Sequence, residues 1–184
     1  SYVNNFSCLY NFLKEFPFKS VNIIVMADNV SDETKEKLEK ESSGLDIHYT
    51  SIGSSAGTFH NVFMDSLNLD DDTIVYFLEN DYIHAPNSMN ALFDGFDIGA
   101  HYVTLYDHPD KYISSYDYGE PTRVMKGNVC HWKMTISTTM TFAAKVSTLT
   151  EDKDIWIENT GGSYPTDHQA FTQLREKGRT LVSP

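Results

Sequence analysis

Two acids, in Glu79-Asn80-Asp81, directly follow the apolar run Thr73-Ile74-Val75-Tyr76-Phe77-Leu78. In an extended segment, residues two apart point the same way. Both carboxylates then face one side, with Phe77 and Tyr82 as desolvating neighbours. Like charges so placed repel unless a cation lies between them, and a hard divalent ion, Mn2+ or Mg2+, suits an all-oxygen donor set. Such an ion keeps open positions for substrate phosphates. The plainer alternative is a pair of acids solvating the loop after a strand. A second candidate, Thr166-Asp167-His168-Gln169, opens a helix after Gly161-Gly162-Ser163-Tyr164-Pro165. There Asp167 is either a helix cap or a general base, with His168 as metal or phosphate ligand.

Weaker candidates surround these. Asp28 and Asp107 also follow apolar runs, at the strand ends where ligands of open α/β sheets bind. Asp70-Asp71-Asp72 precedes its strand, at the opposite end of a sheet from Glu79, and reads as a solvated turn. His131-Trp132 falls in a loop-like stretch, where the indole either stacks on a sugar ring or anchors the loop in the core. The loop Gly53-Ser54-Ser55-Ala56-Gly57 is either a plain connection or a close approach of backbone N–H groups to a ligand before a helix. Neither G-x-G-x-x-G nor G-x-x-x-x-G-K-[ST] occurs, which counts against NAD-type dehydrogenases and P-loop NTPases. Seven scattered histidines with two cysteines do not make a structural zinc site.

The elements that must position these residues follow from hydrophobic spacing. Phe6, Leu9, Tyr10, Leu13 and Phe16 recur at helical steps, predicting a helix over 5–16. The run 21–26 predicts a strand buried on both faces, as in a parallel sheet. A helix over 32–42, a strand over 47–52 and a helix over 58–67 follow. Then come the strand 73–78, a helix from 86 to 93 and a strand over 101–106. Residues 107–133 are rich in Tyr, Gly and Pro and read as long loops; 136–144 reads as a strand and 166–177 as a final helix closed by Gly178. Strands alternating with helices predict one α/β domain with a central, mostly parallel mixed sheet flanked by helices.

The chain has 184 residues and a formal charge of −12. From Glu41 through Asp110 there are twelve acids and no Lys or Arg, so the whole excess lies in that window. This argues against a general nucleic-acid binder, which needs a basic face, and against a polybasic membrane-surface module. Hydrophobic residues at 40% and aromatics at 13% exclude a disordered acidic tail. No apolar run is long enough to span a bilayer. Cys8 and Cys130 do not form a disulfide framework, so a reducing, cytoplasmic location is expected. The chain opens on Ser1 rather than Met, so a segment upstream of it is expected to lie outside this sequence.

Taken in order, these pieces resemble a nucleotide-sugar glycosyltransferase of the GT-A fold. The resemblance rests on Ala27-Asp28-Asn29 after an early strand, the Gly-Ser loop and helix from Gly53 to Asn61, the D-x-D-like Glu79-Asn80-Asp81, and the late Asp167-His168. It covers residues 21–174. The stretches Tyr76-Phe77-Leu78-Glu79-Asn80-Asp81-Tyr82-Ile83-His84 and Leu105-Tyr106-Asp107-His108-Pro109-Asp110-Lys111-Tyr112, with Ser137-Thr138-Thr139-Met140-Thr141-Phe142, look closest to small glycosyltransferase domains encoded by chloroviruses. Those enzymes are thought to build capsid glycans. In two respects the chain departs from the pattern. Glu stands where the motif usually begins with Asp, and the fold's usual first strand is not visible before Ser1.

The resemblance implies a nucleotide-binding part over about 1–82 and a sugar and acceptor part over about 83–184. It implies that Asp28, Asn29, Ser55, Glu79 and Asn80 contact the nucleotide. Asp81, Glu79 and His168 would hold Mn2+ or Mg2+, and Asp167 would be the catalytic carboxylate. Asp107, His131 and Trp132 would meet the sugar or acceptor. The expected partners are a UDP-sugar donor, such as UDP-glucose or UDP-rhamnose, and a glycan or glycoprotein acceptor. Competing readings are a metal-dependent nucleotide phosphohydrolase using the same carboxylates, and a carbohydrate- or Ca2+-binding module without turnover. An anionic donor should avoid so acidic a cleft. Its phosphates therefore require a divalent cation or basic groups from the later loops, such as Arg123, Lys126 or Lys133.

Overall fold

A computed structural model describes residues 4–41, 44–107, 112 and 123–184. The predicted end of the second helix at 42 and most of the stretch 107–122 lie outside the described residues. Helix α1 (Asn5–Glu15) starts where the Asn4 side chain accepts the Ser7 N–H at 2.9 Å, an N-cap. Strand β1 (Ile24–Asp28), helix α2 (Asp32–Glu41) and strand β2 (Asp46–Thr50) form a parallel crossover unit. Helix α3 (Ser55–Ser66) is capped by the Ser54 hydroxyl, which accepts the Gly57 N–H. It leads to strand β3 (Ile74–Phe77).

Helix α4 (Ser88–Asp97), the two-residue strand β4 (Tyr102–Val103) and the hairpin of β5 (Val124–Lys126) with β6 (His131–Thr135) follow. Strand β7 (Phe142–Lys145), helices α5 (Val146–Glu151), α6 (Lys153–Asn159) and α7 (Asp167–Glu176), and strand β8 (Leu181–Ser183) complete the chain. No described helix is long and apolar enough to cross a membrane.

The protein is mixed α/β, but its main sheet is not mostly parallel. Its order is β3-β7-β4-β8-β6-β5, and among the described residues only the β4–β8 pair of this sheet is parallel. Periodicity reports which face of a strand is apolar, not the direction of its neighbour, so the antiparallel returns of β5, β6 and β7 left no local signal. Likewise β1 is not a strand buried on both faces: among the described residues it pairs only with β2, in a separate two-stranded sheet, and Ile24 is 60% exposed. The apolar run began too early, because Val21 lies before the strand and packs into the core.

Alternation along the six strands sends side chains to two cores, giving three layers. Phe77, Tyr102, Phe142, Ala144 and Leu181 point to one face, where Phe59 and Phe63 of α3, Trp156 of α6, and Phe171 and Leu174 of α7 cover them. Phe142 and Trp156 stack there with ring centroids 4.7 Å apart. Tyr76, Val103, Ala143, Val182 and Trp132 point to the other face, beneath Phe12 and Phe16 of α1 and Leu92 and Phe96 of α4.

Candidate functional site

Pairing register places the C-terminal end of β3 beside the start of β7, because Phe77 partners Phe142. Residues 78–82 therefore run next to residues 137–141. Two hydrogen bonds join them: the Glu79 N–H donates to Thr141 Oγ1 at 3.3 Å, and the Tyr82 and Thr139 hydroxyls meet at 2.7 Å. Behind them lies a buried knot of hydroxyls. Thr104 and Thr138 are 2.8 Å apart and both donate to the Thr141 carbonyl, while Thr104 Oγ1 accepts the Tyr106 N–H. The Tyr106 ring meets Tyr82 edge-on at 5.6 Å. The run Thr138-Thr139-Met140-Thr141 was the sequence signal for this support; its meaning appears only once β7 lies against β3.

Three carboxylates share this end of the sheet. Glu79 is half-buried and its carboxyl is pushed above the usual range, first by desolvation and then by the charges of Asp81 and Asp167. Asp167 opens α7 and is also raised by burial, an effect partly offset by main-chain N–H groups of Asp167 and His168 and by the His168 side chain. Asp81 and Asn80 stand exposed in the turn after β3, and His168 is exposed on the first turn of α7. Among the described residues, no group of three or more His, Cys, Asp or Glu side chains converges closely enough to hold a metal ion. The oxygen donors of Glu79 and Asp81 nevertheless suit Mn2+ or Mg2+, which needs only one or two protein carboxylates when substrate phosphates supply other positions.

The other sequence-derived candidates are placed differently. Asp28 is a loop pin: its two oxygens accept the Ile52 N–H (2.6 Å), the Gly53 N–H (2.8 Å), the Thr50 hydroxyl (2.8 Å) and the Asn29 amide (3.1 Å). The Ile52 N–H leads these bonds in holding the carboxyl below its ordinary range. Its capacity is spent on the 50–53 turn, and Asn29, at φ 50°, lies against Gly53, at φ 79°. Ser55 is exposed as the first residue of α3.

Trp132 is not a surface platform. It is fully buried, and its Nε1 donates to Asp94 at 2.9 Å. The later part of the stretch read as loops, from residue 124, belongs to the β5–β6 hairpin, whose register turns the indole into the core. Sequence reading passed over Asp94, which is 3% exposed and also accepts the Asn128 and Val129 N–H groups at 2.6 and 3.1 Å. Burial alone would raise its carboxyl, but these donors hold it below the usual range. A Cβ at Gly127 would overlap the Asp94 carboxylate, so only glycine fits that turn. His131 stays exposed at the same end of the sheet as Glu79, but four strands away, about 19 Å at the usual strand spacing. Asp107 accepts the Tyr112 hydroxyl at 2.9 Å, and Lys133 Nζ sits 5.0 Å from the Tyr112 ring centre.

No protein-family model matches the chain, and a search of curated proteins finds no match either.

Proposed function

We propose that the chain is a glycosyltransferase with a GT-A-like domain. In this reading it moves a hexosyl unit from a UDP-sugar, such as UDP-glucose or UDP-rhamnose, to a glycan or glycoprotein acceptor with the help of Mn2+ or Mg2+. The supporting observation is that Asp81 and Asp167 lie within electrostatic reach of Glu79 at one end of the sheet and raise its carboxyl. The motif order of the sequence adds the nucleotide-sugar reading to that carboxylate cluster.

A bound divalent ion would offset the charge of the diphosphate leaving group. Glu79 and Asp81 would hold it, with His168 beside them on α7. Asp167 would take the proton of the acceptor hydroxyl. Its raised carboxyl is a stronger proton acceptor than an ordinary aspartate, which favours a general base working near neutral pH. Tyr82 and Tyr106, braced by the threonine hydroxyls, would flank the site. Asp28 would serve the nucleotide indirectly, by fixing the 50–53 turn ahead of α3.

Thermal denaturation with UDP, GDP, CMP or TDP, each with and without Mn2+, tests the reading. A ligand at a hundredfold excess over its Kd adds about 2.7 kcal/mol of stability. UDP should stabilise the protein only with Mn2+, and Asp81→Ala should abolish the shift. No nucleotide shift with any metal refutes the proposal. Phosphate release without sugar transfer would assign the same carboxylates to a hydrolase.

A further inference from the structure

Helix α1 presents Cys8, Asn11, Phe12, Glu15 and Phe16 at three- and four-residue steps, a single face directed at the segment that follows the acidic turn. The contacts along that face are specific. The Asn11 side-chain amide pairs with the main chain of His84 in both directions: the His84 N–H donates to Asn11 Oδ1 at 2.6 Å, and Asn11 Nδ2 donates to the His84 carbonyl at 3.1 Å. One turn later, Glu15 Oε2 accepts the Asn87 N–H at 2.8 Å. The His84 ring fills the space between, with centroids 5.4 Å from Phe12 and 5.3 Å from Phe16. Its Nε2 lies 3.0 Å from the Tyr76 hydroxyl.

The irregular segment between β3 and α4 is thus fixed at two points. Its start is held by the β3–β7 pairing and the Thr141 and Thr139 hydroxyls; its later part is held by α1. Asp81 stands between these anchors, three residues before His84.

We propose that Asn11 and Glu15 are positioning residues of the site, and that their grip on the main chain at His84 and Asn87 sets where the Asp81 carboxylate stands and hence how tightly the site takes a divalent cation. This rests on the metal-dependent reading given above. Neither side chain ligates the ion. Each holds the backbone of the loop that carries the ligand, and loss of either grip lets the turn move relative to Glu79, whose own N–H is tied to Thr141.

The experiment measures the Mn2+ concentration that gives half of the UDP-induced thermal shift in the intact chain. Asn11→Ala and Glu15→Ala should each raise that midpoint tenfold or more. Glu15→Gln, which keeps an oxygen to accept the Asn87 N–H, should leave it within twofold of the parent. Tyr102→Phe supplies the structural comparison. It removes a buried hydroxyl bonded to Asp152 and Trp156, a network tied to Arg179 just beyond the end of α7 far from Asp167. It should lower the melting temperature without ligand and leave the Mn2+ midpoint unchanged. An unchanged midpoint in both alanine variants overturns the proposal, as does a midpoint that rises equally in Tyr102→Phe. If Asn11→Ala fails to fold, the Glu15 pair decides alone. If the unsubstituted protein shows no Mn2+-dependent UDP shift, it is the functional reading that fails, and this outcome is visible before any variant is compared.

Discussion

Replacing His84 with leucine should remove one proton from the pH dependence of folding. The ring is 6% exposed, and burial pulls its pKa from the ordinary 6.5 down to about 4 against a small opposing pull from Glu15. Its Nε2 is bonded to the Tyr76 hydroxyl, whereas Nδ1 is buried without a partner among the described residues. The native protein therefore holds this histidine neutral. The sign follows: between pH 6.5 and 4 the unfolded chain takes up a proton that the folded chain refuses. The stability associated with neutral His84 is complete above pH 6.5, is lost as the pH falls towards 4 and is constant below that. The gap in pKa corresponds to about 3 kcal/mol.

His84→Leu also leaves the Tyr76 hydroxyl without its partner, a penalty of about 1–3 kcal/mol that does not vary with pH in this range. Urea unfolding of both proteins at pH 7, 6, 5 and 4, followed by tryptophan fluorescence, separates the two effects. Other titrating groups such as Glu79, Asp28 and Asp167 contribute to both curves and cancel in the difference. The parent should be the more stable at pH 7, and its advantage should shrink by about 3 kcal/mol by pH 4. A difference that stays constant from pH 7 to 4 would refute the reasoning.

Two other predictions concern buried or crowded acids. Asp94→Ala strips the acceptor from Trp132 Nε1 and from two main-chain N–H groups, and should cost about 3–5 kcal/mol of unfolding free energy; equal urea midpoints for variant and parent would contradict the clamp. Glu79→Gln removes a carboxylate that burial and two like charges disfavour. It should raise the melting temperature without ligand, by more at pH 7 than at pH 4, where Glu79 is already largely protonated. A lower melting temperature at pH 7 would contradict that repulsion.

Several elements were legible because their signals are local. The apolar face of α1, the acid-first and lysine-later order of α2, the strand running into Glu79-Asn80-Asp81, and the helix opening at Asp167 all depend on spacing within a dozen residues. The acidic window is read directly from the order of residues in the sequence. Helices α5 and α6 and strand β8 are short pieces buried in the core around Tyr102, Phe142 and Phe171. Nothing within their own windows announces them.

What the tertiary structure decided is which polar groups remain available for chemistry. Asp28, read as a ligand contact, spends its oxygens on a turn more than twenty residues later in the chain. Trp132, read as a sugar platform, lies in the core with its N–H on Asp94. Asp167 is brought within electrostatic reach of Glu79 although 88 residues separate them. A sequence states which side chains can donate, accept or carry charge. Their remaining capacity depends on the partners that folding brings from distant segments, because a buried polar group must satisfy its hydrogen bonds wherever the packed chain offers them.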